Sequence, residues 1–173
     1  MSALLRSFRD AEARVKLRGC AEIGRGTEAR GGIWIHGPGT IRIGERVVLD
    51  GRSAPIELHA GPGAEIVIGD DVHVDGGASI EAQRSIRIGA RSRVGRFCKL
   101  LDNHFHRTTE HDQRPSSEPI VVEEDALLGA RSILLPGAHV GRATEIAAGT
   151  VLTKRVPPGV IVAGQPATVR RPP

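Results

Sequence analysis

An aliphatic residue recurs at every sixth position between residues 120 and 156 of this sequence. The positions are Val122, Leu128, Leu134, Val140, Ile146 and Leu152. A helix would repeat its apolar residues about every 3.6 positions and a half-buried strand every second one, so this period indicates a longer repeating unit. A small residue or valine follows four places after each: Ala126, Ser132, Ala138, Thr144, Thr150 and Val156. This pattern is typical of the hexapeptide repeats of a parallel β-helix, whose short strands bury their faces only against neighbouring coils.

The same period extends towards the amino terminus, with slips of two residues at Ile43 and Ile88. Such slips suggest loops that bulge from a corner of the β-helix. The upstream positions are Ile23, Ala29, Ile35, Ile41, Ile43, Leu49, Ile56, Ile68, Val74, Ile80, Ile86, Ile88, Val94 and Leu100. Cys98 falls in a small-residue slot, so we expect it to face inward rather than to act as a nucleophile. Three hexapeptides make a coil of about eighteen residues, so the chain predicts about seven coils.

The composition agrees with a narrow interior. The 173 residues include 22 glycines and 11 prolines but only one tryptophan, three phenylalanines and no tyrosine. Cores normally use aromatic side chains as large fillers, so their scarcity favours a thin prism of valine, isoleucine, leucine and alanine. We predict an all-β fold, a parallel β-helix with a short N-terminal helix and an inserted loop.

Charge and cysteine usage exclude several classes of function. The net charge is +4, and the 24 lysines and arginines are spread among 20 acidic residues. Without a concentrated basic face or stacking aromatics, nucleic acid is not an expected partner. Cys20 and Cys98 show no paired or metal-ligand spacing, and no integral membrane segment or signal-type run is present. The expected location is cytoplasmic.

Residues 2 to about 17 predict a short amphipathic helix, with Leu4, Phe8, Ala11 and Val15 at helical spacing among basic residues. A basic amphipathic helix can lie on an anionic membrane or contact an acceptor. An open β-helix end also exposes strand edges and apolar interior, so we favour a lid. The expected organisation is a cap at residues 1–19 and a β-helix domain at residues 20–171.

The period breaks between Leu100 and Val122, where residues 102–119 read DNHFHRTTEHDQRPSSEP. This excursion loop is polar and contains three of the seven histidines: His104, His106 and His111. Long polar excursions from a rigid scaffold are where such folds place functional residues. The loop is therefore the first place to expect catalytic side chains.

The segment LLGARSILLPGAHVGRATEIAAGTVLTKRVPPGVIVAGQPATVRR resembles the left-handed β-helix acyltransferases of the hexapeptide-repeat superfamily. It is most similar to the sugar O-acetyltransferase branch that includes maltose and galactoside acetyltransferases. The match is specific over about residues 119–171 and follows only the repeat pattern over roughly residues 20–101. The resemblance implies left-handed coils, which the period does not show. It also implies a homotrimer with active sites between subunits, acetyl-CoA as co-substrate and no metal.

The resemblance places the catalytic residues in the excursion loop. The family has a histidine four residues after an aspartate, which matches Asp102 and His106, while His104 and His111 remain alternatives. A sugar hydroxyl attacks a thioester slowly unless a base removes its proton in the transition state, and histidine suits this role near neutral pH. Asp102 would orient the imidazole or fix its tautomer. An aspartate before asparagine at a strand end is also a common turn residue.

The resemblance also implies the contacts of the acyl donor. They carry over to Leu127, Ala130, Ala148, Thr153, Lys154 and Arg171. The Ala130 N–H would stabilise the thioester oxyanion, and Lys154 and Arg171 would bind the CoA phosphates. The small residues Ala130 and Ala148 would also suit the repeat without any ligand. The family usually has tryptophan at the position of Leu127, so the pantetheine wall is less aromatic here and leaves room for an acyl group other than acetyl.

The expected function is transfer of an acetyl group from acetyl-CoA to a hydroxyl of a sugar or polysaccharide precursor. Without the amino-terminal module of the maltose type, the acceptor-binding residues of that type do not transfer. A γ-carbonic-anhydrase-like zinc protein is one alternative, because His73 lies upstream of His106 and His111. Those zinc ligands normally lie on the coils, however, and the resemblance of residues 153–167, TKRVPPGVIVAGQPA, to the last segment of the CoA-dependent enzymes would go unexplained. A non-catalytic binding or scaffold subunit is the other alternative.

Overall fold

The computed structural model describes residues 11–104 and 117–170. Within these residues the chain forms a helical segment at 11–16 and nineteen strands. The strands are β1 (Glu22–Ile23), β2 (Glu28–His36), β3 (Thr40–Ile43), β4 (Val48–Ala60), β5 (Glu65–Ile68), β6 (His73–Asp75), β7 (Ser79–Ala82), β8 (Ser85–Ile88), β9 (Arg93–Val94), β10 (Lys99–Leu101), β11 (Ile120–Val122), β12 (Leu127–Leu128), β13 (Ile133–Leu134), β14 (His139–Val140), β15 (Glu145–Ile146), β16 (Val151–Leu152), β17 (Arg155–Val156), β18 (Ile161–Ala163) and β19 (Thr168–Arg170).

The strands stack into three faces that wind along one axis. The first face has the order β1-β3-β5-β8-β11-β14-β17. The long strands β2 and β4 each turn a corner and contribute to two faces. Their first halves begin the second face, which continues with β6, β9, β12, β15 and β18. Their second halves begin the third face, which continues with β7, β10, β13 and β16. Apart from the antiparallel β18–β19 pair, all these strand pairs are parallel.

This arrangement confirms the predicted all-β parallel β-helix. The third face holds six strand positions, so the described chain completes six coils before β17 and β18 begin a seventh. We number the coils from the amino terminus. The first corner joins the first and second faces, the second corner joins the second and third, and the third corner joins the third face to the first face of the next coil.

The six-residue period marks the interior of the prism. The six aliphatic side chains from Val122 to Leu152 are at most 2% exposed, and so are the small residues between them. Ala126, Ser132, Ala138, Thr144 and Thr150 all point into the corners in this way. Upstream, Ile23 and Ile35 are the exceptions, because they lie half-buried in the first coil. The interior is thus one continuous aliphatic column.

Both slips of the period lie inside strands. Ile41 and Ile43 on β3 are both buried, as are Ile86 and Ile88 on β8. Residues two apart on one strand point to the same side, so the register moves by two without a loop leaving the wall. Two inward residues therefore widen the first face in these coils.

The first corner is lined by exposed ion pairs between successive coils. Arg46 donates two hydrogen bonds to Asp71, at 2.7 and 2.8 Å. Arg91 donates to Asp125 in the same way, at 2.7 and 2.9 Å, and these bonds lower the pKa of the Asp125 carboxyl. Exposed pairs of this kind contribute little each. Many of the charged residues thus pair with one another on a corner other than the one that carries the excursion loop.

The helical segment at 11–16 covers the open end of the first coil. Ala13 and Leu17 are 1% and 0% exposed and join the core, whereas Ala11 is exposed and Val15 is 66% exposed. The face predicted from Ala11 and Val15 is therefore wrong for this part of the segment. Leu4 and Phe8 lie outside the described residues. None of the described helical residues forms a stretch long and apolar enough to cross a membrane.

Candidate functional site

The excursion loop leaves and rejoins the β-helix at the third corner between coils 4 and 5. β10 ends at Leu101 and β11 begins at Ile120. Asn103 forms an isolated antiparallel bridge with Ser117, and the Glu118 N–H donates to the Asp102 carbonyl oxygen at 2.9 Å. The two ends of the loop are thus joined where they leave the wall.

Asp102 lies at the base of this neck and is fully buried. Its Oδ1 accepts the Gln83 N–H at 2.6 Å and its Oδ2 accepts the Arg84 N–H at 2.8 Å. Those two amides belong to the third corner of the coil below. The carboxylate therefore fastens the loop to the preceding coil, and each oxygen retains a lone pair for a further donor.

Of the three histidines in the loop, only His104 lies within the described residues. His104 is half-buried and follows Asn103, which is only 7% exposed. Among the residues that the structure describes, the Asn103 Nδ2 has no hydrogen-bond partner. His106 and His111 lie outside the described residues, as does Arg171. Their predicted roles are therefore not located by the structure.

Ala130 and Ala148 meet at the second corner, in coils 5 and 6. The Gly149 N–H donates to the Ala130 carbonyl oxygen at 2.9 Å, which holds the two turns together. Both alanines are exposed. Within the described part of the chain, neither the Ala130 N–H nor the Ala148 N–H donates a hydrogen bond to protein. This corner thus presents two free amide donors, one coil apart, beside small side chains.

Replacing Gly129 with alanine is expected to lower Tm more than the same change at Gly149. A Cβ at Gly129 would lie 2.5 Å from the backbone nitrogen of Ala148, which cannot swing aside. A Cβ at Gly149 would meet nothing within 4 Å, so only the strain of its φ of 70° remains. That strain is worth about 1–2 kcal/mol.

Thermal unfolding of the two variants measures the difference. We expect the Gly129→Ala variant to melt about 5 °C or more below the Gly149→Ala variant. Equal melting temperatures would contradict the close approach of coils 5 and 6 at this corner.

The other predicted donor residues lie on coils 5 and 6, but they are not all on the same edge of the β-helix. Leu127 is 39% exposed on the second face, on strand β12, which leads directly into the turn that contains Ala130. Thr153 and Lys154 lie at the third corner, between β16 and β17, and both are exposed. Lys154 has no ion pair within the described ranges. The third face of coils 5 and 6 therefore separates the Ala130 and Ala148 amides from the Lys154 ammonium.

The two cysteines have no catalytic geometry. Cys98 is 0% exposed, and its Sγ lies 3.1 Å from the Gly129 carbonyl oxygen and 3.2 Å from Ser132 Oγ. Burial raises the pKa of the Cys98 thiol, and it raises the pKa of Cys20 to about 11. Both thiols are therefore protonated at neutral pH, and thiolates rather than thiols are nucleophiles.

The sequence analysis did not predict a hydrogen-bonded side-chain pair on the first face, His139 with Glu123. His139 Nε2 lies 2.7 Å from Glu123 Oε1, while Glu123 Oε2 accepts the Arg142 N–H at 2.8 Å. The contact with His139 lowers the pKa of the Glu123 carboxyl, with the Arg142 amide as the next cause. The offset of sixteen residues has meaning only when the coil stacking is known.

No group of three or more potential metal ligands occurs among the residues that the structure describes.

The stacked strands and their six-residue period define the fold as a parallel β-helix built from hexapeptide repeats. Residues 119–154 match the family model described as the hexapeptide repeat of succinyl-transferase. The chain is also 46% identical over 55 residues to 2,3,4,5-tetrahydropyridine-2,6-dicarboxylate N-acetyltransferase from Staphylococcus aureus. That match covers 32% of this chain and only 23% of the length of this curated relative. This chain therefore spans less than a quarter of the length of this curated relative.

Solved structures of acyltransferases share the fold over most of the chain. The polySia-specific acetyltransferase NeuO has a TM-score of 0.62 at 17% identity, covering 87% of this chain and 73% of that one. A mutant of AntD, an N-acyltransferase from Bacillus cereus in complex with dTDP-4-amino-4,6-dideoxyglucose and coenzyme A, has a TM-score of 0.67 at 13% identity, covering 92% and 87%. A hexapeptide-repeat-containing acetyltransferase from Vibrio cholerae has a TM-score of 0.58 at 19% identity, covering 98% and 93%.

Proposed function

We propose that this chain is a CoA-dependent O-acetyltransferase that acetylates a hydroxyl of a sugar or polysaccharide precursor. The observation with the most weight is the pair of free amides at Ala130 and Ala148, one coil apart on an exposed corner. Amides of this kind suit the carbonyl groups of a thioester and its pantetheine arm. They lie inside the segment that matches the hexapeptide repeat of succinyl-transferase. The acetyltransferase NeuO and the N-acyltransferase AntD, solved with coenzyme A, support acyl transfer on this fold.

The proposed donor site joins two corners. Leu127, Ala130 and Ala148 lie along the pantetheine at the second corner, and Thr153 and Lys154 contact CoA at the third, with Arg171 as a second phosphate ligand. The third face separates these corners within one chain. A site shared between two subunits of a homotrimer brings the second corner of one copy to the third corner of the next. No metal enters this arrangement.

The proposed reaction is a direct transfer. His106 removes the proton of the acceptor hydroxyl as the oxygen attacks the thioester carbon, and the Ala130 N–H stabilises the charge on the carbonyl oxygen. The carbon–sulfur bond then breaks, and the protonated imidazole returns the proton to the departing thiolate. Asp102 holds the imidazole in its productive orientation. No acyl-enzyme is needed, because both cysteine thiols are protonated and neither lies in the excursion loop.

Replacing Lys154 with alanine is expected to raise the KM for acetyl-CoA about three- to tenfold with a smaller effect on kcat. The ammonium would meet phosphates that are remote from the reacting carbon, so it contributes binding energy before and during the transition state alike. The dependence of this KM on salt should also weaken, because an exposed charge pair is screened. Steady-state kinetics at two ionic strengths measure both effects.

Arg155→Ala is the matched control, because it removes the next exposed cation, whose strand lies on the first face. Its KM for acetyl-CoA should stay within twofold of the parent value. Arg171→Ala should resemble Lys154→Ala. Unchanged CoA affinity in both Lys154→Ala and Arg171→Ala would remove the phosphate assignment.

Release of free thiol from acetyl-CoA, screened with sugars, amino sugars and nucleotide sugars, tests the function as a whole. Acceptor-dependent thiol release, with mass spectrometry showing one added acetyl group, would support it. Metal analysis of the same preparation separates it from a zinc enzyme. Absence of turnover with every acceptor, together with absence of CoA binding by calorimetry, would favour a non-catalytic subunit.

A further inference from the structure

The second corner carries a depression in coils 2 to 4, just below the turn that contains Ala130. We call it the second-corner depression. Its volume is about 350 Å³, which lies within the range of small-molecule sites, about 300–1,000 Å³. The residues that line it are Asp50, Arg52, Ser53, Asp75, Gly76 and Arg96.

The depression forms because coil 2 is longer than coil 3 at this corner. The register pairs Asp50 with Asp75 before the corner and Glu57 with Ser79 after it. Six residues lie between the two positions in coil 2, but only three lie between them in coil 3. The additional residues of coil 2 form the lower side of the depression, and coils 3 and 4 supply the rest.

Unused hydrogen-bond donors continue along this corner into the depression. Within the described ranges, neither the Gly76 N–H nor the Arg96 N–H donates a hydrogen bond to protein, as is the case at Ala130 and Ala148. A Cβ at Gly76 would lie 2.5 Å from Ser53 Oγ, so the missing side chain leaves the serine hydroxyl close to this glycine. The row of free amides therefore extends from the proposed thioester site to the depression.

The two carboxylates of the depression already have donors of their own. Asp50 accepts two hydrogen bonds from the Arg52 guanidinium, at 2.6 and 2.8 Å, and these bonds lower the pKa of its carboxyl to about 2. Asp75 Oδ1 lies 3.1 Å from His73 Nε2, and its Oδ2 accepts a hydrogen bond from Arg93 at 3.1 Å. The charges of Asp50 and Asp75 are thus offset by neighbours on the same coils or the next one.

Arg96 differs from these cations because its side chain has no partner. It is exposed, and among the described residues its guanidinium forms neither an ion pair nor a hydrogen bond. The next arginine along the corner, Arg131, lies 5.8 Å from the centre of the Phe97 ring, within the range of a cation–π contact. A guanidinium presents a planar set of N–H donors that matches the oxygens of a carboxylate or a phosphate. Arg96 is therefore available to bind an anion in the depression.

We propose that the second-corner depression binds a carboxylate or phosphate group of the acceptor through Arg96, and that the enzyme therefore selects acidic acceptors over neutral ones. The Ser53 hydroxyl and the Gly76 N–H supply further donors to the same anion. This inference rests on the proposed function, because it gives the acceptor of that transferase a defined charge.

The height of the depression along the axis suits an acceptor. The Arg131 N–H donates to the Arg96 carbonyl oxygen at 2.8 Å, so the turns of coils 4 and 5 are stacked directly. In a trimer whose axis runs along the β-helix, equal coils lie at equal height, and the neck of the excursion loop of the next copy meets the second corner near coil 4. The acceptor hydroxyl then lies beside the Ala130 amide, and the anion lies one or two coils lower, about 5–10 Å away. One sugar residue or two neighbouring ones span this distance.

Ligands that differ only in charge test the proposal. Glucose, glucuronic acid and glucose 6-phosphate share one ring and carry a neutral group, a carboxylate or a phosphate at the same carbon. N-acetylneuraminic acid and its methyl ester form a second set. In calorimetry without acetyl-CoA, we expect an acidic member to bind with a Kd at least about tenfold lower than that of its neutral counterpart. The better of the two acids in the first set identifies the anion. Equal Kd values within both sets, or no binding of any acid, would overturn the anion site.

Arg96→Gln should raise the Kd for the preferred acid about tenfold or more, and Arg96→Lys should recover part of the loss because it keeps the charge without the planar donors. Arg25→Gln is the matched control, since it removes the same charge from a side chain that is 89% exposed on the first corner. All three variants should bind CoA with the parent Kd. An equal effect of Arg25→Gln and Arg96→Gln would mean that net charge alone acts, and would overturn the site.

Turnover separates this proposal from the proposed function. We expect Arg96→Gln to lower kcat/KM for an acidic acceptor about tenfold or more and to leave the KM for acetyl-CoA unchanged. Binding of an acid that depends on Arg96, without thiol release from acetyl-CoA, would support the anion site and count against the transferase. Turnover that shows no preference for acidic acceptors and is the same in Arg96→Gln would overturn the anion site and leave the transferase standing.

Discussion

Replacement of His106 by alanine is expected to lower kcat by about two to four orders of magnitude while leaving the Kd for CoA within about twofold of the parent value. A general base acts only on the proton that moves in the transition state, so its loss affects turnover rather than donor binding. The proposed CoA contacts at Leu127, Ala130, Ala148, Thr153 and Lys154 lie on the coils and remain intact in this variant. Steady-state kinetics with an accepted sugar, together with calorimetric titration of CoA, measure the two quantities separately.

His104→Ala and His111→Ala are the matched controls, because both remove an imidazole from the same polar segment. Their kcat values should fall less than tenfold. The parent kcat/KM should decrease as the pH falls below the range in which histidine is neutral, because a protonated imidazole cannot accept the hydroxyl proton. Loss of turnover in His104→Ala with wild-type turnover in His106→Ala would assign the base to His104. Full turnover in all three variants would refute the acid–base mechanism.

The interior could be predicted from the sequence because its period is a direct consequence of the coil. Leu128 and Ile146 are eighteen residues apart and are paired on neighbouring strands of the second face. Each inward position meets only its counterparts in adjacent coils, so a local pattern determines a long-range contact. The helical segment shows the opposite case. The sequence predicted that Ala11 and Val15 face the core, but the end of the first coil buries Ala13 and Leu17, which have the same spacing of four residues.

The outward surface could not be predicted in the same way. The separation between Trp34 and Glu57 is 23 residues and that between Glu57 and Ser79 is 22, which the eighteen-residue coil does not give. Coils of unequal length change which outward residues become neighbours, although inward residues remain identifiable by their apolar character. The pairing of His139 with Glu123 depends on the same stacking. Surface chemistry on a β-helix thus needs the structure, whereas its core does not.

Asp102 links the scaffold to the proposed chemistry, and Asp102→Ala is expected to lower Tm by about 10 °C. Its buried carboxylate accepts the Gln83 and Arg84 amides at 2.6 and 2.8 Å. Hydrogen bonds to a charged acceptor contribute about 1.5–3 kcal/mol each, so loss of both is worth about 3–6 kcal/mol. In a chain of this size, each kcal/mol shifts Tm by about 2–4 °C. Differential scanning calorimetry measures the change.

Asp70→Ala is the matched control for this effect, because the exposed Asp70 accepts a single amide, that of Glu45, at 2.8 Å. Its Tm should fall by no more than about 3 °C. Asp102→Asn then separates anchoring from catalysis, since it keeps one carbonyl acceptor and the side-chain shape. Assayed well below its own Tm, this variant should lose at least tenfold in kcat if Asp102 orients His106, and its pH profile should shift with the loss. An unchanged kcat and pH profile would leave Asp102 as an anchor of the loop alone, and a Tm for Asp102→Ala within 2 °C of the parent would refute the anchoring itself.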